Sequence, residues 1–188
     1  MKTLQVFATL AFLVLFNSSG NSQQIKSLEC LDKQQSEFVA VVVEKFNDQL
    51  LKHYGEINYK KFLMDRSSMS LPPDFFVTSG LAEFLNINRN KPFFQDIWKN
   101  NDGVYEFNHE SKYFECLKSV CESETLCEVF SAMDQFREVS RELIAGAIAS
   151  ELPDEQYNNM DVPIFIAINL YAELSIKLFD RFKNQVNI

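Results

Sequence analysis

Four cysteines are the side chains in this sequence with the clearest chemistry. Three of them, Cys116, Cys121 and Cys127, lie close together, and the fourth, Cys30, stands far towards the N-terminus. An even number of cysteines in an exported chain is typical of disulfides, and four cysteines allow three pairings. We therefore predict two disulfides, at least one of which joins the N-terminal part of the chain to the segment around Cys116.

Helix geometry selects among these pairings. If the segment that ends at Cys121 is helical, the Cα atoms of Cys116 and Cys121 are about 8–9 Å apart, whereas a disulfide needs less than about 7 Å. Cys121 and Cys127 face each other across the polar turn between two predicted helices. We predict Cys30–Cys116 with Cys121–Cys127, and keep Cys30–Cys121 with Cys116–Cys127 as the alternative.

The other reactive side chains form no catalytic or metal-binding pattern. The two histidines, His53 and His109, lie in neither an HxxxH nor an HExxH motif. The sequence also lacks a G-x-S-x-G motif and the glycine-rich motifs that bind nucleotides. Asp134 and Glu138 are four residues apart but lie among arginines, as on a solvated helix face. We expect no enzyme, no catalytic residues, no cofactor and no metal.

Residues 1–22 have the features of a signal peptide. Lys2 provides a short basic region, and the apolar run from Leu4 to Phe16 ends in small polar residues. This run is too short to span a bilayer, as is the later apolar stretch that contains Asn169. We expect a secreted, extracellular protein without a membrane span, in which residues 23–188 fold as a single helical domain.

The acidic composition argues against two classes of partner. The formal net charge is −8, and it becomes −9 when the segment containing Lys2 is removed. A surface of this charge repels phosphate groups, so neither nucleic acid nor an anionic membrane surface is an expected partner. The sequence leaves the oligomeric state open.

Apolar residues at helical spacing mark the first half of the chain. Phe38, Val42, Phe46 and Leu50 form one stripe that ends before Gly55, which predicts a helix opened by an Asp32 cap. Two shorter helices are predicted to begin at Ser79 and near Pro92. The alternating segment 104–107 has no visible partner strand, and we predict an extended loop there.

The second half predicts a helical hairpin and a central helix. The first arm begins at an Asn108 cap, and the second begins at a Thr125 and Glu128 capping box and continues to about Ser150. The last helix begins at Asp161 and is apolar on all sides at first, which is typical of a helix surrounded by others. The predicted fold is all-α: a single compact bundle of five to seven helices, clamped by two disulfides, with the hydrophobic C-terminal helix central.

Aromatic residues provide the remaining functional signal, since the chain has 18 phenylalanines. Many can fill an ordinary core, but those in the irregular middle can instead line an apolar cavity with the central helix. The residues predicted to contact such a ligand are Phe75, Phe76, Phe84, Phe93, Phe94, Trp98, Ile164, Ile168 and Tyr171.

Two functions fit these expectations. The first is a secreted soluble binding protein that carries a hydrophobic small molecule or lipid. The alternative is a secreted protein-binding factor, hormone-like or host-directed, that acts through an exposed patch on an extracellular protein. A carrier needs an enclosed apolar cavity, whereas a protein-binding factor combines a filled core with exposed apolar side chains.

Overall fold

The computed structural model describes residues 29–77, 80–136 and 139–186, so the predicted signal peptide and the predicted Ser79 cap lie outside the described residues. These ranges form the predicted all-α fold, together with one small β-hairpin that was not predicted. The elements are α1 (Lys33–Tyr54), α2 (Tyr59–Ser67), α3 (Asp74–Val77), α4 (Gly80–Asn88), α5 (Pro92–Ile97), β1 (Trp98–Asn101), β2 (Val104–Phe107), α6 (Lys112–Val120), α7 (Glu124–Gln135), α8 (Arg141–Glu151), a 3₁₀ turn (Asp154–Asn158) and α9, which begins at Asp161 and ends at Val186.

The boundaries of α1 are those that the sequence predicts. The Asp32 side chain accepts a hydrogen bond from the Gln35 amide at 2.9 Å, and Gly55 ends the helix with a left-handed φ of 78°. Phe38, Phe46 and the rest of the apolar stripe are buried. The number of helices exceeds the predicted five to seven because single turns such as α3 form separate helices.

The C-terminal helix α9 is central, as predicted. It begins as an α-helix at Asp161–Phe165, continues as a π-helical segment at Ile166–Ala172 and ends as an α-helix at Glu173–Val186. Every residue of the π segment is buried. Among the described residues, one helix, Asp161–Phe182, is long enough and apolar enough to cross a membrane. However, 78% of its most apolar stretch is buried inside the protein. Its apolar character is therefore explained by its place in the core.

The prediction of an extended loop at 104–107 was wrong. Val104–Phe107 pairs antiparallel with Trp98–Asn101, so that Trp98 lies opposite Phe107. Asp102 and Gly103 both have positive φ, 52° and 90°, as a two-residue hairpin turn requires. The partner strand was missed because its residues were assigned to the end of the preceding helix, although an Asp-Gly pair is a strong hairpin signal.

The predicted second arm is two helices. α7 ends at Gln135, and α8 begins at Arg141 with Ser140 as its N-cap. The Ser140 side chain accepts from the Leu143 amide at 3.2 Å, and this local bond favours a new helix start over continuation of the old helix. The break lets α8 turn and pack against α2, where a Cβ added at Gly146 would lie 3.5 Å from the Ser67 Cβ.

Both arms begin at caps other than those predicted. The first arm is capped by Ser111 rather than Asn108, whose side chain instead donates to the backbone of Asp96 and accepts from Glu110. The second arm is capped by Ser123, whose hydroxyl accepts from Leu126, rather than by Thr125. Several cap-forming residues are adjacent in each turn, and their tertiary contacts decide which one is used.

The disulfide pairing is the predicted one. Cys30 pairs with Cys116 at a Cα–Cα distance of 5.6 Å, and Cys121 pairs with Cys127 at 5.9 Å. The first disulfide ties the residues before α1 to α6, and the second closes the turn between α6 and α7. Two such bonds are consistent with an oxidising, extracellular compartment.

Candidate functional site

Two groups of aromatic rings within one hydrophobic core contain most of the residues predicted to line a cavity. In the first, Phe75 and Phe76 of α3 each lie 5.4 Å from Tyr171 of α9, measured between ring centroids. In the second, Phe38 of α1 lies 5.5 Å from Phe84 and 4.9 Å from Phe93. These rings contact one another at the distances of ordinary aromatic core pairs.

The remaining predicted residues complete the same core. Phe94 and Trp98 are fully buried and lie 4.8 Å apart, next to Phe38. Ile164 and Ile168 are buried on α9. The structure thus places α3 against the central helix and the α5 aromatics against α1, rather than joining them in one wall. Their contact with a ligand stays a prediction.

Side-chain hydrogen bonds fasten the short helix α3 to the core. The Phe75 carbonyl accepts from Gln49 at 2.9 Å and from the Tyr171 hydroxyl at 3.0 Å. The Phe76 carbonyl accepts from Ser175 at 2.7 Å. A four-residue helix has few internal bonds, so these contacts satisfy backbone groups that would otherwise be buried without partners.

A polar cleft of about 730 Å³ lies on another side of the molecule. One wall comes from the β1–β2 hairpin and the turn after it, including Lys99 and His109, and the opposite wall comes from the start of α8. The floor is α9, from Asn169 to Lys177, and Arg66 of α2 closes one end. We refer to this site as the polar cleft.

Ion pairs organise the walls of the polar cleft. Arg66 Nη1 lies 2.6 Å from Glu142 Oε1, and the Arg66 Nε donates to the Leu170 carbonyl at 3.4 Å. Glu173 is paired twice, with Arg141 at 2.9 Å and with Lys177 at 2.7 Å. Only 7% of the Arg66 side chain and 7% of the Glu173 side chain is exposed, so each of the three pairs has one partner in a poorly solvated environment.

The charge of Glu142 is held by its arginine partner. Burial alone raises the pKa of the Glu142 carboxyl, but the hydrogen bond from Arg66, backbone bonding and the arginine charge outweigh it. The net effect is a pKa below the ordinary value, so Glu142 is a stable carboxylate. It accepts hydrogen bonds and does not serve as a proton donor at neutral pH.

Asn169 supplies a polar group at the floor of the cleft. It is fully buried in the π segment, and its Nδ2 donates to the Phe165 carbonyl at 3.2 Å. Its Oδ1 has no hydrogen-bond partner within the described part of the chain. Burial raises the pKa of the neighbouring Tyr113 well above its ordinary value, and the Asn169 carboxamide partly opposes that shift. The Tyr113 hydroxyl is also buried without a hydrogen-bond partner of good geometry among the described residues.

Sequence reasoning missed this cleft for a definite reason. Arg66 and Glu142 are 76 residues apart, and Arg141 and Glu173 are 32 residues apart. Residues so far apart form no short sequence motif, so each of these charged residues looks like an ordinary surface residue in the sequence. Asn169 was the available signal, because a carboxamide inside a long apolar run is costly to bury unless it forms hydrogen bonds.

Three exposed apolar side chains lie in or just after the two helices that pack together at Ser67 and Gly146. Met64 precedes Ser67 by one helical turn, Met69 follows Ser67 by two residues, and Leu143 precedes Gly146 by one turn; their exposed fractions are 57%, 75% and 69%. Each of the three residues is thus within about one helical turn of the α2–α8 contact along its own chain segment. We refer to Met64, Met69 and Leu143 as the α2–α8 apolar surface.

Neither a metal centre nor a known relative adds to these features. Within residues 29–77, 80–136 and 139–186, no group of three or more His, Cys, Asp or Glu side chains is placed to hold a metal ion. No protein-family model, no curated protein and no solved structure matches the chain.

Proposed function

We propose that this protein is exported and acts by binding another protein, with the α2–α8 apolar surface as its contact. The observation that carries the proposal is the contrast between the two apolar regions. The aromatic residues predicted to line a cavity pack on one another in the core, whereas Met64, Met69 and Leu143 remain exposed. A filled core with exposed apolar anchors is the arrangement expected of a protein-binding factor.

The charge of the molecule indicates the kind of partner. The formal net charge of −8 favours encounter with an extracellular protein whose contact surface is basic. Flexible methionine side chains adapt to such a surface, and Leu143 gives a fixed apolar anchor. The predicted signal peptide and the two disulfides support an extracellular location for this protein, and the proposed partner is therefore extracellular too.

Carriage of a hydrophobic molecule is the second candidate, and the aromatic content of the core supports it. Phe75, Phe76 and Tyr171 surround one part of the central helix, and a ligand there would have to displace their mutual contacts. Opening the core in this way costs more than filling a cavity that already exists. The carrier therefore ranks below the protein-binding factor.

A charge substitution tests the proposal. The Met64→Glu, Leu143→Glu double variant is compared with wild type for saturable binding to an array of extracellular proteins, with Ile87→Glu as the matched control. Ile87 is 68% exposed but lies on α4, outside the contact. Wild type and control should bind the same partner, and the double variant should bind at least about tenfold more weakly, a loss of about 1.4 kcal/mol.

One outcome contradicts the proposed contact surface. If wild type and the double variant bind a partner equally, the α2–α8 apolar surface does not contact that partner. An apolar molecule recovered by mass spectrometry from an organic extract of undenatured protein, with no saturable protein partner, would establish the carrier instead.

A further inference from the structure

The polar cleft has the dimensions of a small-molecule site. Its volume of about 730 Å³ falls within the range of roughly 300–1,000 Å³ typical of ligand pockets. Three secondary-structure units form its walls and floor, so its shape depends on packed elements rather than on one loop. The residues of the α2–α8 apolar surface do not line this cleft. The cleft therefore offers a second binding site, suited to a small molecule rather than to a protein.

The charges of the cleft indicate a neutral ligand. Its lining contains as many basic as acidic side chains, and most of them are paired with each other. Besides the Arg66–Glu142 pair and the doubly paired Glu173, Lys99 lies 2.9 Å from Glu110. A ligand with net charge would have to compete with these pairs, which is least favourable at the largely buried Arg66 and Glu173 side chains. An uncharged ligand leaves them intact.

The hydrogen-bonding groups indicate a ligand with both donors and acceptors. Asn169 Oδ1 is a buried acceptor without a partner among the described residues, and leaving such a group unsatisfied costs stability. A hydroxyl that donates to Asn169 removes this cost, while its oxygen accepts from the guanidinium or ammonium groups of the walls. Polyhydroxylated molecules have this property, because each hydroxyl group both donates and accepts hydrogen bonds.

The backbone of the floor supports the same conclusion. Asn169 lies in the middle of the π-helical segment Ile166–Ala172, and such segments occur frequently at functional sites. Next to it, the Leu170 carbonyl accepts from Arg66 rather than serving only the helix. The irregular helix thus presents a carboxamide and fixes the guanidinium at the same end of the cleft.

We propose that the polar cleft binds a neutral, polyhydroxylated small molecule of the size of a mono- or disaccharide, with Asn169 as the acceptor at its floor. Glu173, Arg141 and Lys177 form the charged wall that donates to and accepts from the hydroxyls. This inference goes beyond protein binding and does not rest on it, because Asn169 and Glu173 are buried and are not part of the α2–α8 apolar surface.

The two histidines provide an internal control for a wild-type experiment. His109 lines the cleft, whereas His53 lies at the end of α1 against Tyr54 and Phe75. The ring proton signals of both are followed by NMR during titration with glucose, galactose, N-acetylglucosamine and maltose. At least one sugar should shift the His109 signal saturably, with a Kd of about 1 mM or tighter, while His53 stays unchanged.

Charged analogues and one variant complete the test. Glucosamine and glucose 6-phosphate should bind at least about tenfold more weakly than the best neutral sugar. Asn169→Leu should weaken binding of that sugar at least about tenfold, as loss of a hydrogen bond of about 1.4 kcal/mol predicts. Asn90→Leu, the same substitution at an exposed position outside the cleft, should leave binding unchanged.

Several results would overturn the proposal. These are the absence of a His109 shift with every neutral sugar, equal shifts of His109 and His53, or preference for a charged analogue. Wild-type affinity in a folded Asn169→Leu variant would exclude Asn169 as the acceptor. If that variant does not fold, the wild-type titrations with neutral and charged sugars still decide the ligand class.

Discussion

Arg66 is a largely buried cation that forms an ion pair with Glu142. Its side chain is 7% exposed, and its guanidinium contacts Glu142 at 2.6 Å and the Leu170 carbonyl at 3.4 Å. Both contacts join α2 to elements far along the chain. One side chain therefore links three helices at the edge of the polar cleft.

Arg66→Met is expected to destabilise the protein by about 1–3 kcal/mol, measured by urea unfolding followed through Trp98 fluorescence. Removal of one partner leaves a charge unpaired, and the effect is smaller than in a fully buried pair because 34% of the Glu142 side chain is exposed. Lys60→Met is the control, since Lys60 is 43% exposed and its partner Asp154 80% exposed, and it should change stability by less than about 0.5 kcal/mol.

The Arg66→Met effect should also depend on pH. The Glu142 pKa is lowered in the folded protein, so its contribution to stability is present above the ordinary value of 4.5. It is lost as the pH falls through the lowered folded pKa. The unfolding free energies of wild type and Arg66→Met should converge over that acidic window, and a difference that is constant from neutral to acidic pH would contradict this account.

At the scale of elements, the contact between α2 and α8 sets the position of both the cleft and the apolar surface. Gly146 lies inside α8, where a glycine weakens a helix relative to alanine. A Cβ there would meet the Ser67 Cβ at 3.5 Å, an ordinary van der Waals distance. The helices are thus close enough to touch, with room left for a methyl group.

Gly146→Ala should therefore stabilise the protein by about 0.5–1 kcal/mol, measured as a shift in the urea midpoint at unchanged slope. Gly55→Ala is the matched control, because Gly55 has a φ of 78° that alanine adopts only with strain, and it should destabilise. Destabilisation by both substitutions would mean that α2 and α8 lie closer at Ser67 than the 3.5 Å contact implies, so that the alanine methyl group at position 146 does not fit.

For the whole molecule, the two disulfides differ greatly in the length of chain that they close. Cys30–Cys116 has a sequence separation of 86, and Cys121–Cys127 one of 6. The longer closure restricts the unfolded chain more, because loop entropy grows with the number of residues enclosed. The Cys30–Cys116 bond is also the covalent tie between the start of α1 and α6.

Replacing Cys30 and Cys116 by alanine should cost about 4–5 kcal/mol, and replacing Cys121 and Cys127 about 2–2.5 kcal/mol. Urea unfolding of the two double variants measures this difference. Hydrogen exchange of the first double variant should also speed up in the first turn of α1, whereas the middle of α1 remains protected by the packing of Phe46 on Tyr171. Equal losses in both variants would show that loop entropy does not set the ranking.

The sequence by itself determined the features that depend on local pattern. The Asp32 cap and Gly55 bound α1 because both act within one helical turn. The continuous apolar run after Asp161 predicted a central helix because such a surface has to be covered on all sides. Helix rise and the reach of a disulfide disfavoured Cys116–Cys121 and favoured the observed pairing, but the alternative Cys30–Cys121 with Cys116–Cys127 stayed open until the structure decided between them.

Only the tertiary structure decided which of several locally acceptable choices is used. Whether Asn108 or Ser111 caps α6 depends on contacts with distant residues such as Asp96, whose carbonyl accepts a hydrogen bond from the Asn108 side chain. The polar cleft depends on the same kind of contact. Arg66 meets Glu142, and Arg141 meets Glu173, only after α2, α8 and α9 pack together, because hydrogen bonds and ion pairs between distant residues leave no periodic trace in the sequence.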